Sequence, residues 1–170
     1  MGNGRIIHTP TPGNTMQTDW KLPWNGECRC GQTTLRISAA PLIAMACHCN
    51  GCQRMSSSAY SLSMAIPSQG FEVTGGEPVI GGLHGKTQHF FCPHCMTWMF
   101  TRPEGMDQFV NVRPTMLANH SWFVPFVETY TSNKLPGAQT GATHSFTEFP
   151  EMSDFEGLMA DYAARGARPA

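Results

Sequence analysis

The chain has 170 residues, a formal net charge of −1, 41% hydrophobic residues and only 14% charged residues. That length and composition describe one globular domain able to bury its own core, and they exclude a disordered chain. No basic block appears, which sets nucleic acid aside as a partner, and no apolar run approaches the ~20 residues needed to cross a bilayer.

Met1 to Trp20 is rich in Gly, Pro, Thr and Asn, shows no hydrophobic period and holds no apolar stretch long enough for a secretory signal. It reads as a flexible or surface-hugging arm. We place the arm at residues 1–23, a single domain over 24–166, and the protein in the cytoplasm. Strand-like runs broken by Gly and Pro follow: Thr33–Ile37, Leu42–Ala46, Ala59–Ala65, Phe71–Thr74, Gln88–Cys92 and Phe109–Arg113. Each is short and carries β-branched or aromatic residues, with turn formers such as Gly75-Gly76 and Gly81-Gly82 between them. The pattern predicts a mainly β fold. Between Ala118 and Tyr130 the pattern is ambiguous, and Pro125 argues against a long helix. Near the C-terminus, Ser153-Asp154-Phe155-Glu156 reads as a capping box, with Ser153 as the N-cap. Phe155, Leu158, Met159, Tyr162 and Ala163 then recur at helical spacing, and Gly166 stands where a helix end takes a left-handed residue. One face of this helix is expected to pack on the sheet.

The cysteines number seven, an odd count that excludes complete internal disulfide pairing. They fall into three groups: Cys28-Arg29-Cys30, Cys47-His48-Cys49-Asn50-Gly51-Cys52 and Cys92-Pro93-His94-Cys95. In a reducing compartment, clustered cysteines bind metal or do chemistry more often than they form bridges. Four plus three is the natural partition. Cys28, Cys30, Cys92 and Cys95 would close one four-thiolate zinc site and staple the ends of the β core. Cys47, Cys49 and Cys52 would then hold a second zinc with an open fourth position, the mark of a catalytic rather than a structural site. The competing reading of the trio is a metal-free patch of oxidisable thiols. His48 and His94 sit between ligands, so their side chains are expected to point elsewhere. His84 and His89 could reach a pocket, but solvation or a hydrogen bond explains them equally. Trp98, Phe100, Phe90 and Phe91 are expected to pack around the third motif. Arg54 could hold an anion or simply face solvent.

The ordered combination Cys-x-Cys, Cys-His-Cys-x-x-Cys, Cys-x-x-Cys resembles the glutathione-dependent formaldehyde-activating enzyme family, which also includes centromere protein V. The residues that carry it are Gly26 to Gly31, Cys47 to Arg54 and Phe91 to Cys95, and the likeness runs roughly from Trp24 to Pro150. It implies an Mss4-like (β-tent) fold, a structural zinc on Cys28, Cys30, Cys92 and Cys95, and a second zinc on Cys47, Cys49 and Cys52. It also implies a carbon–sulfur lyase-type activity, the addition of glutathione to formaldehyde giving S-hydroxymethylglutathione, with the central trio catalytic and a small-molecule thiol as partner. This chain departs from the family in carrying Met96 where members usually have Gly, and in its longer arm. Three thiolates on Zn²⁺ leave a net charge of about −1 by simple counting, a centre suited to hold a fourth thiolate. No general acid stands out in the sequence; water or His48 are the candidates. A binding module for glutathione or a protein, stapled by zinc but without turnover, is the alternative.

Overall fold

The computed structural model describes residues 20–170; residues 1–19, and with them most of the expected arm, lie outside the described residues. In chain order the strands are β1 (Trp24–Glu27), β2 (Thr34–Ile37), β3 (Ile43–Cys47), β4 (Ser61–Pro67), β5 (Phe71–Gly75), β6 (Val79–Gly81), β7 (Gln88–Phe91), β8 (Trp98–Arg102), β9 (Phe109–Val112), β10 (Val127–Thr129) and β11 (His144–Ser145). Among the described residues two α-helices accompany them, α1 (Asn50–Ser56) and α2 (Phe155–Arg165). Each of the six strands read from the sequence is present within two residues of its expected ends. No long helix forms around Pro125; that region instead delivers β10. No helix among the described residues is long and apolar enough to cross a membrane.

The strands form a small antiparallel sheet in the order β1-β2-β5 and an eight-stranded sheet in the order β11-β10-β3-β4-β9-β8-β7-β6. The large sheet is antiparallel except at one edge, where β10 runs parallel to both β3 and β11. Leu35 and Ile37 of the small sheet pack against Met64, Ile66, Val110 and Val112 of the large one. Because side chains alternate across a strand, the intervening residues of β3, β4 and β9 turn to the other face, which carries the cavity described below. At the β3–β10 edge, Ala44, Phe126 and Val127 pack with Leu158 and Tyr162, so α2 lays one face on the sheet as its spacing predicts.

Trp20 belongs to this second cluster. It is 2% exposed, with its ring centroid 5.9 Å from that of Tyr162 and 6.0 Å from that of Trp122. Packing therefore extends back from Trp24 into the stretch assigned to the arm, because a buried indole removes far more apolar surface from water than its polar neighbours Asp19 and Lys21 could.

Two details of α2 correct the sequence reading. Ser153 does not cap it. Met152–Asp154 forms a 3-10 turn ahead of the helix, and the reciprocal cap joins Glu151 and Asp154, whose carboxylate accepts the Glu151 amide at 3.0 Å. The box lies two residues earlier because Asp154 already adopts helical angles and Glu151 does not. Gly166 is not left-handed either, with φ −60° and ψ 149°. Its lack of a side chain serves close approach, since a Cβ there would lie 2.4 Å from the Tyr162 ring.

Candidate metal centres and an adjoining cavity

Both cysteine groups assemble as the spacing predicts. The Sγ atoms of Cys28, Cys30, Cys92 and Cys95 lie within 4.8 Å of one another, and so do those of Cys47, Cys49 and Cys52. Nothing in either group is a disulfide.

The four-cysteine cluster joins two hairpin turns. Cys28 and Cys30 follow β1 and precede β2, whereas Cys92 and Cys95 lie between β7 and β8. The first hairpin belongs to the small sheet and the second to the large one, so the cluster ties the sheets together. The two turns are built alike. Gly31 donates to the Cys28 carbonyl at 2.9 Å, and Met96 donates to the Cys92 carbonyl at 3.0 Å. The residue after each second cysteine is left-handed, Gly31 at φ 74° and Met96 at φ 55°. Sulfur separations of 3.5 Å for Cys28–Cys30 and 3.8 Å for Cys30–Cys92 match the roughly 3.8 Å edge of a tetrahedron with Zn–S bonds of about 2.3 Å. The cluster is compatible with zinc. The Thr33 amide points at Cys28 Sγ, 3.3 Å away, and Thr97 Oγ1 lies 3.1 Å from Cys95 Sγ. That hydroxyl holds the Cys95 thiol down to about 5. Phe100 is buried beside the cluster with Phe90 stacked on it at 4.7 Å, the packing role anticipated for them, whereas Trp98, also buried, turns instead to the cavity beside the central trio.

The central trio is positioned by a strand end and a helix start. Cys47 closes β3 with Thr129 of β10 and Ser61 of β4 as its cross-strand neighbours. Cys49 is the N-cap of α1, and its sulfur accepts the Cys52 amide at 3.3 Å. Hydrogen bonding from Cys52 lowers the Cys47 thiol to about 5, and the same bond, with burial, raises Cys52. The trio is likewise compatible with zinc.

His48 turns away, as its place between two cysteines predicts. It is fully buried, with Nε2 3.1 Å from Glu128 Oε2. Glu128 also accepts from Lys134 at 2.9 Å, Thr140 at 2.8 Å and Ser145 at 3.0 Å. Burial opposes ionisation of Glu128, but these donors outweigh it and hold the carboxyl at about 2. An ionised carboxylate only accepts, so His48 Nε2 carries the proton. The group pins the 134–145 segment to the strand bearing Cys47, and His48 is withdrawn from any role as an acid at the trio. Arg54 is exposed on α1, so it takes the solvent-facing reading.

A cavity of about 360 Å³ opens beside the trio, with Cys47 and Cys52 in its wall. Its polar end is made by Ser61, Ser63, Asn111, Thr129, by His89, which reaches the pocket as the sequence allowed and is hydrogen-bonded as well, and by two residues the sequence did not single out, Arg113 and Thr101. The buried Arg113 guanidinium lies over Trp98 at 3.5 Å, donating from Nη1 to the Leu62 carbonyl at 2.8 Å and from Nη2 to Thr101 Oγ1 at 3.1 Å. Burial lowers its pKa to about 10, so it stays cationic at neutral pH. Thr101 Oγ1 also accepts from Trp98 Nε1 at 3.1 Å and lies 2.9 Å from His89 Nδ1. With both lone pairs taken, the hydroxyl must donate to His89 Nδ1, which places the imidazole proton on Nε2. Burial and the Arg113 charge lower the His89 pKa, keeping the ring neutral. Apart from Gln108, the rest of the wall is apolar. Met45, Phe109 and Met106 come from the sheet side, and Phe149, Met152, Phe155 and Met159 from the C-terminal segment. The only sequence signal for Arg113 was its position at the end of a predicted strand, which is too common to identify a site.

Over residues 23–133 the chain matches the family model described as "Glutathione-dependent formaldehyde-activating enzyme". The match ends before Pro150, to which the resemblance in sequence was drawn, and so before α2. Among solved structures the chain is similar to a Rhodobacter sphaeroides protein, at 18% identity over 56% of this chain and 88% of that chain, with a TM-score of 0.48. No curated protein matches it.

Proposed function

Because the chain belongs to the glutathione-dependent formaldehyde-activating enzyme family, we propose that it is a zinc-dependent carbon–sulfur lyase-type enzyme acting on the thiol adduct of an aldehyde. Cys28, Cys30, Cys92 and Cys95 hold a structural zinc in this reading, and Cys47, Cys49 and Cys52 hold a catalytic one. The observation that carries it is the cavity in whose wall Cys47 and Cys52 lie. A three-thiolate zinc supplies a coordination position at which a substrate thiol is held as the thiolate.

The chain's own residues supply the remainder. Arg113 offsets the negative charge of the cysteine trio, an attraction that counts for more in a cavity with apolar walls than in water. In the synthetic direction the substrate sulfur attacks the aldehyde carbon, a C–S bond forms, and the carbonyl π electrons move to oxygen. The neutral His89 ring offers Nε2–H as a hydrogen-bond donor to that oxygen, and solvent provides the proton that completes the hydroxyl group. In the reverse direction the same bond breaks and the aldehyde leaves. The cavity positions both partners, which is the main contribution asked of the protein for so simple an addition.

The test is turnover of a thiol and formaldehyde by protein carrying two zinc ions per chain, corrected for the spontaneous rate. No excess rate in either direction would sink the reading.

A further inference from the structure

The shape of a substrate site is decided by what it leaves unpaired as much as by what it offers. The cavity beside Cys47 and Cys52 contains no Asp, Glu or Lys, and its one fixed cation, Arg113, already donates to the Leu62 carbonyl and to Thr101. Glutathione carries a pair of carboxylates and an ammonium. Seating it here would strip water from an ammonium with no carboxylate to receive it and from a carboxylate with no second cation, each costing about several kcal/mol. A thiolate bound at a three-thiolate zinc already brings the local charge to about −2 by counting, which Arg113 halves. Any further anionic group on the ligand adds to an unbalanced charge.

The walls favour the opposite chemistry. Phe109, Met45 and Met106 line the cavity together with Phe155 and Met159. Its rim holds Phe149, 46% exposed, and Met152, 67% exposed. Large apolar side chains exposed at a cavity mouth mark where an apolar ligand enters, and methionines adapt to ligands of irregular shape. Phe149, Met152, Phe155 and Met159 all lie beyond residue 133, outside the stretch that matches the family. The part of the wall that sets the ligand's character is therefore contributed by this chain's own C-terminal segment.

We infer that the site takes an uncharged, apolar-bodied thiol and its hydroxymethyl adduct in place of glutathione, with the sulfur toward Cys47 and Cys52 and the body against Phe149, Met152, Phe155 and Met159. The inference rests on the functional reading above. Its chemistry is balanced as written there: the thiol sulfur and the aldehyde carbon share the new bond, and no oxidant or reductant is consumed.

The experiment is a calorimetric titration of the zinc-loaded full chain with 2-phenylethanethiol and with glutathione, under anaerobic conditions. It is paired with absorption spectra of the cobalt-substituted protein, whose sulfur-to-metal bands report a new thiolate ligand. The expected result is that 2-phenylethanethiol alters the cobalt spectrum and binds at least about tenfold more tightly than glutathione. Phe149→Glu and Met152→Glu, both at exposed positions, should each weaken that binding about tenfold without changing metal content or thermal midpoint. If glutathione alters the spectrum and binds as tightly or more so, the inference is overturned while the family reading stands. If neither thiol alters the spectrum, both readings fall. If 2-phenylethanethiol binds equally well to parent and rim variants, its body does not lie where we place it and the inference is overturned.

Discussion

The Arg113 guanidinium lies 3.5 Å from the centroid of the Trp98 ring, face on, with its Nη atoms committed to Leu62 and Thr101. A planar, forked cation makes that set of contacts at once, and an ammonium does not. Arg113→Lys should therefore lose the stacking and leave the Leu62 carbonyl or the Thr101 hydroxyl unpaired. We expect a cost of about 1–3 kcal/mol in chemical denaturation, with zinc content unchanged. A variant as stable as the parent would show that the charge, and not the guanidinium geometry, is what the site uses.

Met96 occupies a left-handed position, φ 55°, that Gly31 fills in the matching turn of the same cysteine cluster. A side chain there costs about 1–2 kcal/mol, and glycine returns part of this as lost chain entropy, so Met96→Gly should stabilise by about 0.5–1 kcal/mol. Met96→Val should destabilise, since a β-branched residue tolerates the angle least. Urea midpoints of the two variants, compared with the parent, decide it. Equal midpoints would mean the turn relaxes around whatever residue it is given.

The two cysteine clusters should respond differently to loss of a ligand. Cys95→Ser opens the link between the β1–β2 and β7–β8 hairpins, where metal binding is coupled to folding. Loss of zinc and of folded protein is expected. Cys49→Ser touches a cluster at one strand end and one short helix, so the fold should survive with about one zinc fewer per chain and no thiol-dependent activity. Elemental analysis and thermal unfolding check both. Equal collapse of the two variants would make the central trio structural.

Because Asp154 and Glu151 form the reciprocal cap, Asp154→Ala should cost about 0.5–2 kcal/mol, while Ser153→Ala should change stability by less than about 0.5 kcal/mol. The reverse order in a denaturation comparison would restore Ser153 as the cap.

Glu128 ties His48, Lys134, Thr140 and Ser145 together, and its carboxyl is held at about 2 against an ordinary value of 4.5. A depressed folded-state pKa stabilises above the ordinary value and loses that contribution as pH falls toward the folded one. The stability difference between parent and Glu128→Gln should thus be full above pH 4.5 and shrink between there and pH 2. Taking the difference removes the acid-driven loss of metal common to both. A difference independent of pH would show that the side chain's shape, not its charge, holds the segment.

The cysteine partition was legible in the sequence because metal ligation by Cys-x-Cys and Cys-x-x-Cys is a local property. Within a turn of two to four residues, backbone geometry alone decides whether two sulfurs can meet one ion, so Cys28 with Cys30, and Cys92 with Cys95, announce themselves. The same holds for the six strands, whose β-branched and aromatic runs are short-range signals, and for the helical spacing of Leu158 and Tyr162. The cap of α2 was misread by two residues for a related reason. Ser153 and Glu151 both offer an oxygen near the helix start, and the choice was made by which residue turned first into helical angles. Trp20, at the end of a stretch with no hydrophobic period, gave no sign that it would find Trp122 and Tyr162.

From the amino-acid order by itself, then, came the mainly β class, the two cysteine clusters and the family. The tertiary structure decided what surrounds the second cluster. Arg113, Cys47 and Phe149 share one cavity because β3 pairs with β4, β4 with β9, and the segment before α2 folds back over the same sheet face. Those are long-range pairings set by strand register and by burial of apolar surface over the whole domain. No spacing along the chain encodes them, because the energy that selects them is summed over contacts between residues distant in sequence.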